Sequence, residues 1–444
     1  MNEVNRVIGA EIETLQRETF GYFEHEVNSA NGLVRDKTSQ TSPASIAATG
    51  FALAAYPVGV ERGFIPRAAA VERTLRTLRF FSNSPQGPEP DATGYQGFYY
   101  HFLDMKTGRR VSYCELSTVD SAFLLAGMLT AAAYFDAGDD EEGEIRALAD
   151  ALYRRANWRW AQNNGVTLTH GWHPESGFLP YRWEGYDEGL LLYMLALGSP
   201  TYPLLGDAYA AWCSTYQWKN QYGYEYLYAG SLFTHQLSHL WIDFRKVQDG
   251  YMRDKGIDYF ENTRRATHVQ QQYAINNPLR FKGYGPTCWG ITASDGPGPD
   301  TIKIDGVERQ FFNYIARGVP FGPDDGTIAP WAVVASLPFA PDIVLPSIEY
   351  FIRELKLKAN NPYGFKATFN ATYPVNSGNP SGWVSPWHYG LNQGPIVLMI
   401  ENYRSELLWR LTRQSPYIVS GLRRAGFRGG WLPSGERPLP LVIL

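Results

Sequence analysis

The chain has 444 residues, 44% of them hydrophobic, enough to bury a large core in one repetitive domain or two ordinary ones. A net charge of −4, only 19% charged residues and no Lys/Arg run leave it without the electrostatic footprint of a nucleic-acid binder. Three sparse cysteines with no CxxC spacing supply neither a disulfide framework nor a zinc signature. Aromatics make up 15% and gather beside Gly, Pro and Asn, as in GYQGFYY, HGWHPE and SGWVSPWHYG. Rings in such loops suit flat, partly apolar ligands, and the C–H faces of sugars stack well on them.

Met1 to Ala10 has no apolar signal-peptide core, which predicts a cytoplasmic protein if this N-terminus is native and a periplasmic one if a signal was removed. Asn2–Glu26 reads as an amphipathic helix, with Val7, Ile12, Leu15, Phe20 and Phe23 near helical spacing. Ser45–Val60 is apolar throughout, too short to span a bilayer and interrupted by Pro57, so it predicts a fully buried helix and no membrane partner. A third helix covers Pro66–Phe81. Gly97–Ser112 alternates and turns at Lys106–Gly108, the pattern of a hairpin. Helices follow over Leu116–Phe135 and Asp140–Gln162, and a second hairpin-like insertion over Thr167–Tyr181. Further helices are predicted over Glu188–Leu197, Tyr202–Ser214, Ser231–Asp243, Lys255–Asn276, Ile328–Ser336, Pro341–Lys356 and Gln393–Leu411. Buried helices alternate with amphipathic ones, which predicts two concentric layers. The expected fold is an all-α (α/α)6 barrel, or toroid, formed as a single domain over residues 1–444. Short β-hairpin insertions would lie at the end of the barrel that carries the active site.

Chemistry-bearing residues gather at loop-to-helix junctions. In YRWEGYDEGLLLYMLALGSP, Trp183, Glu184, Tyr186, Asp187 and Glu188 precede an apolar helix stopped by Gly198 and Pro200. A carboxyl held there between aromatics loses hydration, so its pKa rises and it can serve as an acid. The run ELSTVD places Glu115, Thr118 and Asp120 at a second helix mouth, where Ser117 and Asp120 also have capping-box spacing. Two carboxylates facing one cleft are the minimum equipment for glycoside hydrolysis. His235 and His239 have the spacing of a zinc-binding helix, but Gln236 stands where the metalloprotease base is needed, so no metal is expected. Asp243 and Arg245 read as a buried ion pair, Asp324-Asp325-Gly326 as a turn, and Glu401 with Arg404 as a structural ion pair. Trp289 and Asp295 lie in a Gly-rich loop that offers little to bury them.

Ten blocks in chain order resemble the glucoamylase-like family of bacterial (α/α)6 barrels, the group that holds the endo-β-1,2-glucanases of glycoside hydrolase family 144. They include GLVRD (Gly32–Asp36), SPASIAATGF, GFYYHFLDMKTGRR, TVDSAFLLAG, GYDEGLLLYMLALGSPTYP, HQLSHLWIDFR, DDGTIAPWA and NQGPIVLMIENYR. The resemblance implies the barrel, a β-glucan substrate and inversion at the anomeric carbon. It places the family's acidic positions on Glu188 and Asp120. One departure is Asn392, where the family often has the Asp of IDQGP.

Together these readings predict a monomeric glycoside hydrolase without cofactor or metal, acting on an oligo- or polysaccharide. Glu188 protonates the departing oxygen. Asp120, or Glu115, activates water directly or through the Thr118 hydroxyl. Trp183, Trp289 and Trp387 stack sugar rings. His101, Asp104, Arg110, Glu184, Asp187, His235, Gln236, Asp295 and Gln393 complete the substrate site. Two rival readings use the same residues: a glucan transglycosylase, and a non-catalytic glycan-binding protein on the same barrel.

Overall fold

The computed structural model describes residues 3–205, 207–375 and 379–434. The chain is helix-rich with short strands, and its contacts divide it into two compact units, each assembled from separate stretches. Among the described residues, no helix is long and apolar enough to cross a membrane.

The unit formed by residues 23–216, 238–260 and 405 onward is built on buried helices. Ile46–Glu61 is buried from Ile46 to Gly59, and Thr118–Tyr134 is buried over most of its length. Both begin on a serine cap at the end of a two-residue strand: Ser45 accepts the Ala48 N–H, and Ser117 accepts the Asp120 N–H. The two helices pack backbone to backbone, because a Cβ on Gly50 would overlap Phe123 and one on Gly127 would overlap Gly50. Leu190–Gly198 meets Pro416–Arg424 in the same way, through Gly198 against Tyr417 and Gly421 against Met194. Arg67–Asn83 and Asp140–Arg155 bury only one face each, at three- and four-residue spacing. Trp241, Phe51 and Phe123 pack as a triangle of rings, with Trp241 at 5.6 and 5.8 Å from the two phenylalanines.

A five-stranded sheet in this unit runs in the order Gly94–Tyr95, Phe98–Tyr100, Leu116–Ser117, Gly171–His173, Gly177–Phe178. The predicted hairpin over 97–112 is therefore divided. Phe98–Tyr100 joins this sheet, whereas Phe102–Leu103 pairs with Ala44–Ser45 and turns back so that Leu103 bridges Arg110.

The other unit comprises residues 3–22, 217–237 and 261–404. It holds most of the helices Glu3–His25, Tyr259–Asn276 and Gly390–Ser405, together with Pro330–Ala335 and Pro341–Arg353. Its hairpins are Trp218–Gln221 with Tyr224–Leu227 and Asp300–Ile304 with Val307–Phe311. Arg317 and Asp325 form an ion pair at 2.8 Å whose side chains are both 0% exposed.

Several predicted helices are shorter or broken. Asp140–Gln162 stops at Arg155 because Asn157 leaves the helix to cap a new one, Trp158–Ala161. Lys255–Asn276 is interrupted at Gly256, whose φ of 70° ends Gly250–Lys255 before the chain resumes at Tyr259. Gln393–Leu411 becomes Gly390–Ser405 and Leu407–Arg413, separated by Glu406 at φ 59°. Ser231–Asp243 is not an α-helix but two 3-10 turns, Leu232–His235 and Leu237–Leu240. The predicted start of the first helix at Asn2 lies outside the described residues.

Candidate active site

Strand pairing and helix capping build the charged centre. The ladder between Phe98–Tyr100 and Leu116–Ser117 continues as a His101 N–H to Glu115 carbonyl bond of 3.0 Å, and the Ile46 N–H donates to the His101 carbonyl at 3.3 Å. His101 is thus fixed at the edge of both small sheets, with its ring stacked on Phe102 at 4.1 Å. Its Nδ1 lies 2.8 Å from Glu115 Oε1 and 3.8 Å from Asp120 Oδ2. Asp120 sits in the first turn of its helix, where the Ser117 hydroxyl donates to Oδ2 at 2.5 Å.

The charges in this centre are asymmetric. Burial disfavours the imidazolium of His101, but Asp120, Glu115 and Asp36 outweigh it and push the pKa up to about 9. Glu115 is desolvated too, yet its hydrogen bond and charge interaction with His101 hold it below the usual carboxylate range. Burial lifts Asp36 to about 6 against the pull of His101. Donor atoms of His101, Glu115 and Asp120 lie within 4.8 Å of one another, a spacing that a metal ion could bridge. A protonated His101 is itself the cation of that trio.

Glu188 lies just ahead of the helix Leu190–Gly198, in a turn that starts with Gly185 at φ 85°, a left-handed conformation glycine adopts without strain. Burial raises Asp187 to about 7 and Glu188 to about 8. The Asp187 carboxylate accepts the Gly189 N–H at 2.8 Å and the Trp212 indole N–H at 3.3 Å, which favours its charged form. The charges of Asp187 and Asp120 push Glu188 further up, and only its own backbone N–H opposes them. Of the two, Glu188 therefore holds its proton the more tightly.

The remaining predicted residues divide. Thr118 is buried and aims its single O–H at the carbonyls of Thr169 and His170, so it cannot relay a proton to water. Its oxygen accepts the Trp183 N–H at 3.0 Å, while His170 covers one face of that ring at 3.8 Å. Trp183 is therefore 7% exposed and packed, not an open platform. Arg110 is sealed in by the Cys114 carbonyl, Glu175 and His173, and its side chain is 1% exposed, so it organises loops instead of meeting hydroxyls. Asp104 Oδ1 closes its own turn by accepting the N–H groups of Lys106 and Thr107. Glu184 is exposed and accepts the Thr167 hydroxyl.

In the other unit, Trp289 is fully buried with its N–H on Ser347 at 2.9 Å, so it is core and cannot stack a sugar. His235 and Gln236 are also buried: His235 Nε2 meets the Ala229 carbonyl, and Gln236 donates to Ala332 and Ser336. Because their segment is not α-helical, His235 and His239 do not share the helix face expected of them. Gln393 is buried and donates to the Phe365 carbonyl. Asp295 and Trp387 remain half-buried and meet at Ser385, whose hydroxyl donates to Asp295 Oδ2 and accepts the Trp387 main-chain N–H. Glu401 and Arg404 are joined through Gln16: its amide N–H donates to Glu401 and its carbonyl accepts Arg404. Asp243 and Arg245 pair as expected at 2.8 Å, and the Asp324–Gly326 turn is closed by the Asp324 carboxylate.

Sequence reasoning missed Asp36 as a site residue. Its link to His101 runs through the bridges Arg35 to Ala44 and Ser45 to Phe102, which no spacing along the chain reveals.

These features set a cluster of buried titratable groups in a helical scaffold. The glycoamylase family model, described as "Putative glucoamylase", matches residues 180–416. A Bacteroides uniformis ATCC 8492 crystal structure of the same description is 32% identical with a TM-score of 0.84, over 96% of this chain and 98% of that one. The chain belongs to this glucoamylase-like family. It also resembles the endo-β-1,2-glucanase of Chitinophaga pinensis, solved with sophorotriose and glucose: 26% identity, TM-score 0.81, 96% of this chain and 99% of that one. Among curated proteins, the exo-β-1,2-glucooligosaccharide sophorohydrolase of Parabacteroides distasonis is 29% identical over 447 residues. That match covers 93% of this chain but only 57% of the relative's length.

Proposed function

We propose that the chain is a glycoside hydrolase acting on β-1,2-glucan or its oligosaccharides, built as a single (α/α)6-barrel domain and working with inversion. The observation that carries the reading is the separation of proton affinities in one centre. Glu188 is raised to about 8 and holds a proton at neutral pH, while Glu115 is held low by His101. Groups pushed apart in this way are what acid/base catalysis requires. The substrates named for the Parabacteroides and Chitinophaga relatives support β-1,2-linked glucose.

In the mechanism, the Glu188 carboxyl donates its proton to the departing glycosidic oxygen. An anionic carboxylate then assists water at the opposite face of the sugar. Asp120 takes this second role. Oδ2 is occupied by Ser117, and no hydrogen bond engages Oδ1 among the described residues. The His101 ring, 2.8 Å from Glu115 and 3.8 Å from Asp120, orients both carboxyl groups.

Incubation with linear β-1,2-glucan should generate new reducing ends, and the first product seen by NMR should be the inverted anomer. Redistributed chain lengths without new ends would identify a transglycosylase, and no change in the glucan would identify a binding protein.

A further inference from the structure

We infer that Ser238 is a positioning residue for the general acid, capping the acid-bearing helix from outside and fixing the Glu188 peptide with one hydroxyl. The inference rests on the reading of Glu188 as the acid. Helix N-termini leave backbone N–H groups without partners, and a Ser, Thr, Asp or Asn at the cap position normally accepts one of them. Ser45 and Ser117 do this for the two buried helices described above. The helix after Glu188 departs from that pattern: its cap residue is Gly189, which makes no side-chain bond.

Ser238 supplies the missing oxygen. Its Oγ accepts the Leu191 N–H at 3.0 Å and donates to the Glu188 carbonyl at 3.3 Å. One hydroxyl therefore spans the Glu188–Leu191 turn, using its donor on one side and a lone pair on the other. Ser238 is 3% exposed, and its neighbours are hydrogen-bonded and packed. Its carbonyl accepts the Ile242 N–H at 3.1 Å, the neighbouring His239 carbonyl accepts the Trp409 indole N–H at 2.7 Å, and Trp241 packs on two phenylalanine rings.

This clamp matters because no side chain hydrogen-bonds the Glu188 carboxyl among the described residues, so the group is held through its backbone. Asp187, by contrast, is tied to Gly189 and Trp212. The Glu188 side chain starts from a peptide whose carbonyl Ser238 holds, so a shift of that peptide moves the carboxyl with it. Misplacing a catalytic group by about 1 Å can cost a hundred-fold in rate.

A double-mutant cycle tests the inference. Ser238→Ala should lower kcat on β-1,2-glucan about ten- to hundred-fold with KM nearly unchanged. Its effect should be much smaller on a substrate whose leaving group needs no proton. Placed on top of Glu188→Gln, the same substitution should cost less than about two-fold, because no acid remains to be positioned. An equal loss in both backgrounds, or no loss in folded Ser238→Ala, overturns the inference and leaves the acid assignment standing. Full activity in Glu188→Gln alone overturns the acid assignment, and the inference falls with it. If Ser238→Ala does not fold, Ser238→Cys, which fills similar space with a weak donor, enters the same cycle.

Discussion

Glu188 and Trp289 show how far one side chain's surroundings decide its work. Glu188→Gln preserves shape but cannot deliver a proton, so kcat on glucan should fall roughly a hundred- to ten-thousand-fold with the fold intact. Wild-type kcat should decline as pH rises through about 8, where Glu188 loses its proton, and that alkaline limb should vanish in the variant. A pH–rate profile of both proteins checks this, and an unchanged limb would refute the assignment. Trp289 stands in a Gly-rich loop that looked open, yet its ring is fully buried and its N–H is satisfied by Ser347. Trp289→Ala should therefore cost about 3–5 kcal/mol of stability, measured by denaturant unfolding, with no specific rise in KM. A stable variant with weakened substrate binding would place the ring in the cleft after all.

Helices in this chain are held by what glycine leaves out. Alanine at Gly127 gains about 0.5–1 kcal/mol of helix propensity, but its Cβ would overlap the Gly50 backbone. Overpacking of this kind costs about 1–3 kcal/mol, so the clash wins and Gly127→Ala should lower Tm. A raised Tm would mean that the helix pair can separate freely. Long apolar runs such as Ile46–Gly59 and Leu190–Leu197 were legible because nothing but a buried helix accommodates them. Breaks inside helices were less legible. Asn157 and Glu406 end helices by local backbone geometry that ordinary periodicity conceals. Trp218–Leu227 and Pro416–Arg424 escaped the sequence reading, the first because its hairpin is short and polar. The positions of Glu188, Asp120 and Glu115 just before or within the first turn of buried helices were legible from the apolar runs that follow them. The predicted hydroxyl binders mostly were not, because Arg110, His235, Gln236 and Gln393 find partners inside the protein that only tertiary structure reveals.

At the scale of the molecule, the charged centre couples stability to pH. Asp36, Asp187, Glu188 and His101 all have folded pKa values raised above their ordinary ones, to about 6, 7, 8 and 9. In each window the folded state binds more protons than the unfolded state, so stability is lost as pH rises, from the carboxylate range up to about 9. Thermal melts at pH 5 and pH 8.5 should show this decline. Glu188→Gln, which removes one of these protons from the balance, should flatten it. Parallel curves for the two proteins would show that Glu188 is not buried in the protonated form. The external cap has a further consequence, one of timing. Fifty residues separate Glu188 from the hydroxyl that holds its turn. At about 5–20 residues per second, a ribosome delivers Ser238 roughly 3–10 s after Glu188. For that interval the helix after the acid lacks the hydroxyl that accepts the Leu191 N–H, so the nascent chain acquires its proton donor first and the group that holds its turn only later.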